Sequence, residues 1–252
     1  MSLSTRRRIL ALRRAALIAA TVLRGRAQAG AWALHEVLRF GPTLIRNSSL
    51  LGPVAKSFQA CGNEVWLTID DGPTPDQTPL LLDLLGRHGA RASFFAVGKN
   101  VEANRALCRR ITAGSHTLEN HSYSHPSALF WSLPCCVLDE EIGRCSHAIR
   151  VATGTAPTWF RSPVGHTNSC VHPAAARAWL RLAGWSADGR DGIPGSTPQA
   201  IAKRLLAGVR PGAILLLHEG AGRRSAEVLD LLLQGLDARG FRCVIPRLHD
   251  AA

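Results

Sequence analysis

The chain has 252 residues, 46% hydrophobic and 19% charged, which is enough apolar content to bury a full core and excludes a disordered or fibrous protein. No uninterrupted apolar run reaches the ~18 residues of an ordinary membrane-spanning helix. The net charge of +12 is lopsided: residues 1–50 carry nine arginines against the single acid Glu36, so that segment alone holds +8. The 7 cysteines are odd in number and form no CxxC pair, which argues against a disulfide framework and a cysteine zinc site.

The basic arm comes first. Arg6, Arg7, Arg8, Arg13, Arg14, Arg24 and Arg26 alternate with Ile9, Leu10, Leu12, Leu17, Ile18, Val22 and Leu23. This is the pattern of an amphipathic helix on an anionic membrane surface. Two other readings stay open. One is a helix packed on the domain. The other is a signal peptide with Ala15–Leu23 as its apolar region and Ala27-Gln28-Ala29 as its cleavage site, against which Arg24 and Arg26 intervene. The arm lacks interleaved aromatics, so nucleic acid is not an expected partner. A turn-rich cluster from Asn47 to Pro53 ends it, giving an arm of residues 1–52 and a domain of residues 53–252.

Beyond the boundary, β-like and helical segments alternate. Val65–Ile69 predicts a strand, and Thr78-Pro79 opens a helix with Thr78 as N-cap. A strand over Ala92–Val97 and a helix over Val101–Ala113 follow. Helices are predicted over Glu140–Ala152, Ala174–Leu182, Pro198–Ala207 and Ala226–Leu236. Strands are predicted over Thr158–Phe160, near Trp185, over the apolar run Ala213–Leu217 and over Phe241–Ile245. Such alternation implies a parallel sheet covered by helices, as a barrel or an open doubly wound sheet.

In parallel α/β folds the chemistry sits at the carboxyl ends of strands. Five polar clusters fall at such places. Asp70-Asp71-Gly72-Pro73 follows the first strand, and a buried pair of adjacent carboxylates must bind a cation or share a proton. His121 and His125, four apart on one face of a helical turn, can reach one metal ion. Asp with two His leaves coordination positions open, as catalytic metal sites require. Arg161, in Phe160-Arg161-Ser162-Pro163-Val164, can fix a carboxylate. Asp188 and Asp191 lie in the fourth cluster, and Leu216-Leu217-His218 ends the most apolar strand with a candidate general acid.

These clusters, in this order, resemble the polysaccharide deacetylase family, the NodB-homology domain or carbohydrate esterase family 4. Thr68-Ile69-Asp70-Asp71-Gly72, His121-Ser122-Tyr123-Ser124-His125, Arg161 to Val164, Asp188 with Asp191, and Leu216-Leu217-His218 carry the resemblance, from about Val65 to Pro246. It implies an α/β fold, a distorted (β/α) barrel of about seven strands, following the basic helical arm. It implies that Asp71, His121 and His125 hold a divalent metal, usually Zn2+, with Co2+ or Ni2+ as alternatives. It further implies Asp70 as general base, Arg161 as the group that orients it, and His218 as general acid paired with Asp191. Pro163, Val164 and Leu216 would line the substrate site. The reaction would remove an N-acyl group, usually acetyl, from an amino sugar of a polysaccharide, oligosaccharide or lipid-linked glycan.

Two departures bear on the substrate. Val164 stands where the family often has an aromatic, and Gly192 where the fourth motif has tryptophan, so the apolar wall must come from elsewhere. Two further functions stay open: an inactive, membrane-associated glycan-binding protein, and a metal-independent hydrolase of a cyclic amide. The cysteines read as unpaired thiols, which favours the cytoplasm or the inner face of a membrane, while the resemblance, to a family that commonly works outside the cytoplasm on wall polymers, leaves export open.

Overall fold

The computed structural model describes residues 3–127, 129–219, 224–247 and 250; His249, for which the sequence suggests no partner, lies outside them. The first strand, β1 (Glu64–Asp70), is the axis of the fold: Val65, Trp66, Leu67 and Ile69 are fully buried. It pairs in parallel with β2 (Ala92–Ala96) on one side and β7 (Ile214–His218) on the other, and its start pairs with β8 (Arg242–Cys243). The remaining strands are β3 (Thr117–Asn120), β4 (Trp159–Phe160), β5 (Arg181–Leu182) and β6 (Ala187–Asp188). The spatial order is β5-β4-β3-β2-β1-β7-β6, every pairing is parallel, and the sheet curls into a half-barrel. The expected distorted (β/α) barrel is borne out.

Register positions the chemistry. Asp70 lies opposite Phe95 and His218, Ala96 opposite Asn120, and Asn120 opposite Phe160. Asp70, His121, Arg161 and His218 therefore emerge at one end of the sheet. The gap between β5 and β6 is crossed by residues 55–58. The Ala55 N–H donates to the Leu182 carbonyl (2.9 Å), the Gly184 N–H to that of Ala55 (2.7 Å), and the Phe58 N–H to that of Gly212 (3.0 Å).

Helices α3 (Thr78–Arg87), α4 (Gly98–Ala103), α5 (Arg105–Ala113), α6 (Cys135–Thr153), α7 (Val171–Arg177), α8 (Pro198–Ala207) and α9 (Ser225–Asp237) cover the sheet. On α9, Val228, Leu229, Leu232, Leu233 and Leu236 form one buried stripe at helical spacing. Each such side chain contributes about 1.5–3 kcal/mol by leaving water.

Four local expectations need correction. The Val101–Ala113 helix breaks at Asn104, whose φ of −128° and ψ of 43° separate α4 from α5. The Ala174–Leu182 helix stops at Arg177, and Leu182 pairs with Phe160 in the sheet instead. Thr78 is not an N-cap; Gln77 precedes the helix, and the Thr78 hydroxyl donates to Glu219. The cysteines are not all thiols. Cys135, at the start of α6, is bridged to Cys170, just before α7, while Cys61, Cys108, Cys136, Cys145 and Cys243 are free. Parity and spacing cannot reveal a single bridge between residues that only the tertiary fold brings together.

The arm is a helical hairpin of α1 (Leu3–Val22) and α2 (Arg26–Leu44). Small buried residues, Ala16 and Ala20, let the helices approach. His35 Nδ1 lies 3.4 Å from the Arg13 carbonyl, and Gln28 donates to that of Ala20 (3.1 Å). Ten of the fifteen large apolar side chains left exposed among the described residues lie between Leu10 and Ile45. Among the described residues, no helix is long and apolar enough to cross a membrane.

Candidate active site

The turn after β1 carries the two aspartates. Asp71 has φ 77°, in the left-handed region, which costs a non-glycine residue about 1–2 kcal/mol. Its N–H donates to the Phe95 carbonyl (3.2 Å), and its carbonyl accepts from Asn100 (2.8 Å). Gly72, whose bond to Pro73 is cis, has no room for a side chain: a Cβ there would sit 2.1 Å from Glu219 Oε2. Glu219 grips the turn from the far side. Its Oε1 accepts from the Thr74 N–H (2.8 Å), the Thr74 hydroxyl (2.7 Å) and the Thr78 hydroxyl, and its own N–H donates to the Asp70 carbonyl (2.8 Å).

The two histidines sit in a loop after β3, not on the helical turn that their spacing suggests. Ser122 and His125 both have positive φ, 67° and 54°. Two buried or half-buried side chains hold this shape. Asn120 Oδ1 accepts from the Ser122 N–H (2.9 Å), while its amide donates to the Ile142 carbonyl on α6 (2.8 Å). Glu141, also on α6, accepts from the N–H groups of Tyr123 (3.0 Å) and Ser124 (2.8 Å) and from the Ser124 hydroxyl (2.7 Å).

His121 lies 2.8 Å through Nδ1 from the Arg161 carbonyl, which can only accept, so Nδ1 carries the proton and Nε2 faces the aspartates. Asp71 Oδ1 is 3.4 Å from His121 Nε2 and 3.3 Å from His125 Nε2. It is buried without a hydrogen-bond partner, and the three ligand atoms lie within 4.8 Å of one another. Lone pairs converging in this way require positive charge between them, a proton or a cation. The donor set fits a divalent metal. Burial works against ionised Asp71, but the nearby His121, with His218 and His125, holds it at about 2. Burial and the His121 charge lower His125, as a neutral ligand needs.

Asp70 is 2% exposed and Arg161 1%, yet neither is a naked buried charge. Arg161 Nη1 donates to Asp70 Oδ1 (2.7 Å) and to the Thr68 hydroxyl (2.7 Å), and Nη2 to the Gly184 carbonyl (2.8 Å). Its guanidinium stacks 4.2 Å from the Phe95 ring centre. The other oxygen, Asp70 Oδ2, is thereby directed to within 3.6 Å of His121 Nε2. Across the pocket, buried Asp191 takes both donors of His218: its N–H (2.7 Å) and its Nδ1–H (2.7 Å). Burial opposes the imidazolium, but the hydrogen bond and charge of Asp191 push His218 up to about 9.

A cavity of about 520 Å³ joins these groups, within the range of small-molecule sites. Asp71, His121, His125, Val164, Asp188, Asp191, Leu216 and His218 line it, whereas Asp70, Arg161 and Pro163 are buried and do not. Val164 has φ 59°, an outlier for a β-branched residue. The apolar wall missing at Gly192 is supplied by Trp185, which packs over Gly165. Sequence reasoning missed Trp185, Arg46, Glu141 and Glu219. Trp185 and Glu219 carried a signal, the one at the head of the fourth cluster and the other directly after His218.

The polysaccharide deacetylase family model matches residues 59–183. The chain is 37% identical over 201 residues to a chitooligosaccharide deacetylase of Bradyrhizobium sp. (strain ANU 289), covering 73% of this chain and 90% of that protein. It is 34% identical over 178 residues to the peptidoglycan-N-acetylglucosamine deacetylase PgdA of Listeria monocytogenes, covering 71% of this chain and 37% of that one. Among solved structures, a family 4 carbohydrate esterase from Streptomyces lividans in complex with acetate superposes with a TM-score of 0.69 at 29% identity, covering 77% of this chain and 98% of that one.

Proposed function

The chain belongs to the polysaccharide deacetylase family, and we propose that it is a zinc-dependent hydrolase that removes acetyl from N-acetylglucosamine units. The observation that carries this is the convergence of the Asp71–His121–His125 triad with a base and an acid, each held by its own partner, around one cavity. Asp71, His121 and His125 would hold the ion. A divalent metal bound there supplies Lewis-acid polarisation of the amide carbonyl and lowers the pKa of water.

This chain's residues do the rest. Asp70, fixed by Arg161, takes the proton of the attacking water. His218, kept protonated by Asp191, donates a proton to the departing amine as the C–N bond breaks. Water adds to the acyl carbon, and acetate and a free amino sugar result. Trp185, Val164 and Leu216 form the apolar wall against the acyl group. Chitooligosaccharide or peptidoglycan fragments, on which the named relatives act, are the first substrates to try.

The catalytic unit of residues 53–252 borrows Arg46 from the preceding segment for its pocket. The arginine-rich hairpin with its exposed apolar side chains supports attachment to an anionic membrane surface. The Cys135–Cys170 bridge favours the oxidising side of that membrane over the cytoplasmic side that unpaired thiols suggest.

The test is acetate release from chitooligosaccharides, peptidoglycan fragments and a polyprenyl-linked N-acetylhexosamine, with zinc, with chelator and with Asp70→Asn. Release that needs zinc and is lost in the variant is expected. Release unaffected by the chelator would overturn the metal mechanism, and tight zinc binding without release would favour a binding protein.

A further inference from the structure

The mouth of the pocket is more basic than removal of an acetyl group from a neutral sugar requires. Two arginines line it, Arg46 and Arg190, and both are exposed. Neither reached its place by chance of a flexible surface. Arg46 precedes Asn47, which has φ 55° and is tied to both loops that frame the cavity. The Asn47 N–H donates to the Gly165 carbonyl (2.9 Å), and its side-chain amide to the Trp185 carbonyl (3.3 Å). Arg190 has φ 52°, and its N–H is held by Asp188 Oδ1 (2.7 Å). Arg204 donates to the preceding Gly189 carbonyl (2.7 Å).

Acids share this cavity, but they are committed elsewhere. Both oxygens of Asp191 bind His218, Asp188 caps the Arg190 N–H, and Asp71 faces the two histidines. Among the described residues, no hydrogen bond or ion pair engages the guanidinium of Arg46 or of Arg190. Two guanidiniums match the charge of a phosphate, which each can grip with paired N–H donors. A single carboxylate would leave one of them over.

We propose that Arg46 and Arg190 form a phosphate subsite, so that the substrate is an N-acetylated amino sugar carrying a phosphate ester, soluble or lipid-linked. This deepens the deacetylase reading and rests on it. Arg46 lies two residues beyond the end of α2, so the hairpin that would meet a lipid surface leads directly into this subsite.

The experiment separates binding from turnover. Calorimetry on the zinc-loaded full chain carrying Asp70→Asn compares N-acetylglucosamine 1-phosphate with N-acetylglucosamine. At least about tenfold tighter binding of the phosphorylated sugar is expected, weakening with salt, and the preference should vanish in Arg46→Gln/Arg190→Gln. No preference, or a preference that survives the double substitution, overturns the proposal. An equal gain for N-acetylmuramic acid overturns the phosphate assignment in favour of a carboxylate. Acetate release by the unsubstituted protein is read separately. An arginine-dependent phosphate preference without any acetate release supports the subsite while sinking the deacetylase reading. Faster turnover of a polyprenyl-phosphate-linked sugar in phosphatidylglycerol vesicles than of the soluble ester identifies the lipid-linked form; the reverse identifies the soluble one.

Discussion

The floor and the rim of the pocket are built on opposite plans. On the floor, Asp70, Arg161, His121 and Asp191 are buried, and each is oriented by a side chain or carbonyl from a different strand or loop. On the rim, Arg46, Arg190 and Ile193 are exposed; Arg190 and Ile193 are held through their backbone N–H groups and Arg46 through the neighbouring Asn47. The floor fixes the direction of lone pairs and protons, which the chemistry needs to within fractions of an ångström. The rim leaves long side chains free to adapt to what is bound. Reaction and selectivity can therefore vary separately: a change on the floor alters the rate for every substrate, and one on the rim alters the ranking of substrates.

The comparison can be broken most sharply at Asp70. Asp70→Asn keeps a hydrogen-bond partner for Arg161 but removes the proton acceptor. A drop in kcat of about 10²–10⁴-fold on every substrate is expected in acetate-release kinetics. A drop confined to one substrate would make Asp70 a recognition group. Next come the supports of the proposed metal ligands. Glu219→Ala frees the Asp70–Pro73 turn, and Glu141→Gln weakens the loop that carries His125. Zinc affinity by competition with a chromophoric chelator should fall about 10–100-fold in each.

The pH profile gives a smaller but signed effect. In the proposed mechanism His218 must be protonated to act as general acid, so activity that depends on it is expected below its pKa and should be lost as pH rises through about 9. Removing the carboxylate charge in Asp191→Asn lowers that pKa, so the alkaline limb should move to lower pH. An unmoved limb would assign it to another group. The mildest change lies on the rim: Trp185→Ala should raise KM several-fold with little change in zinc affinity, since the ring touches the cavity and not the ligands.

Much of the floor was legible because its residues are neighbours in sequence: Asp70 with Asp71, His121 near His125. Strands β1 and β7 were legible as apolar runs. Of the four two-residue strands, too short for a periodicity of their own, β4 and β8 fall inside predicted strands and β6 beside one, whereas β5 falls in a predicted helix. Strand β3, with Glu119 and Asn120 in four residues, does not look like a buried strand. Glu119 is nonetheless buried, because it accepts from the N–H groups of Thr158 (2.8 Å) and Trp159 (2.9 Å) and so anchors the start of β4; burial pushes its carboxyl up to about 7 despite those bonds. The rim was illegible for a different reason. By sequence Arg46 is one more arginine of the basic arm, just before the turn-rich cluster, and only tertiary bonds from Asn47 place it at the cavity.

Gly72 has a consequence for how this protein can vary. The space beside its Cα is filled by the Glu219 carboxylate, so an added methyl group at position 72 and the full-length acid at position 219 exclude one another. A side chain added at position 72 meets a penalty that a shorter residue at 219 would relieve, whereas loss of Glu219 forfeits its bonds to Thr74 and Thr78, which no change at 72 restores. The Asp-Asp-Gly turn can therefore gain a side chain at its glycine only after a change far away in the gene, at the residue that follows His218.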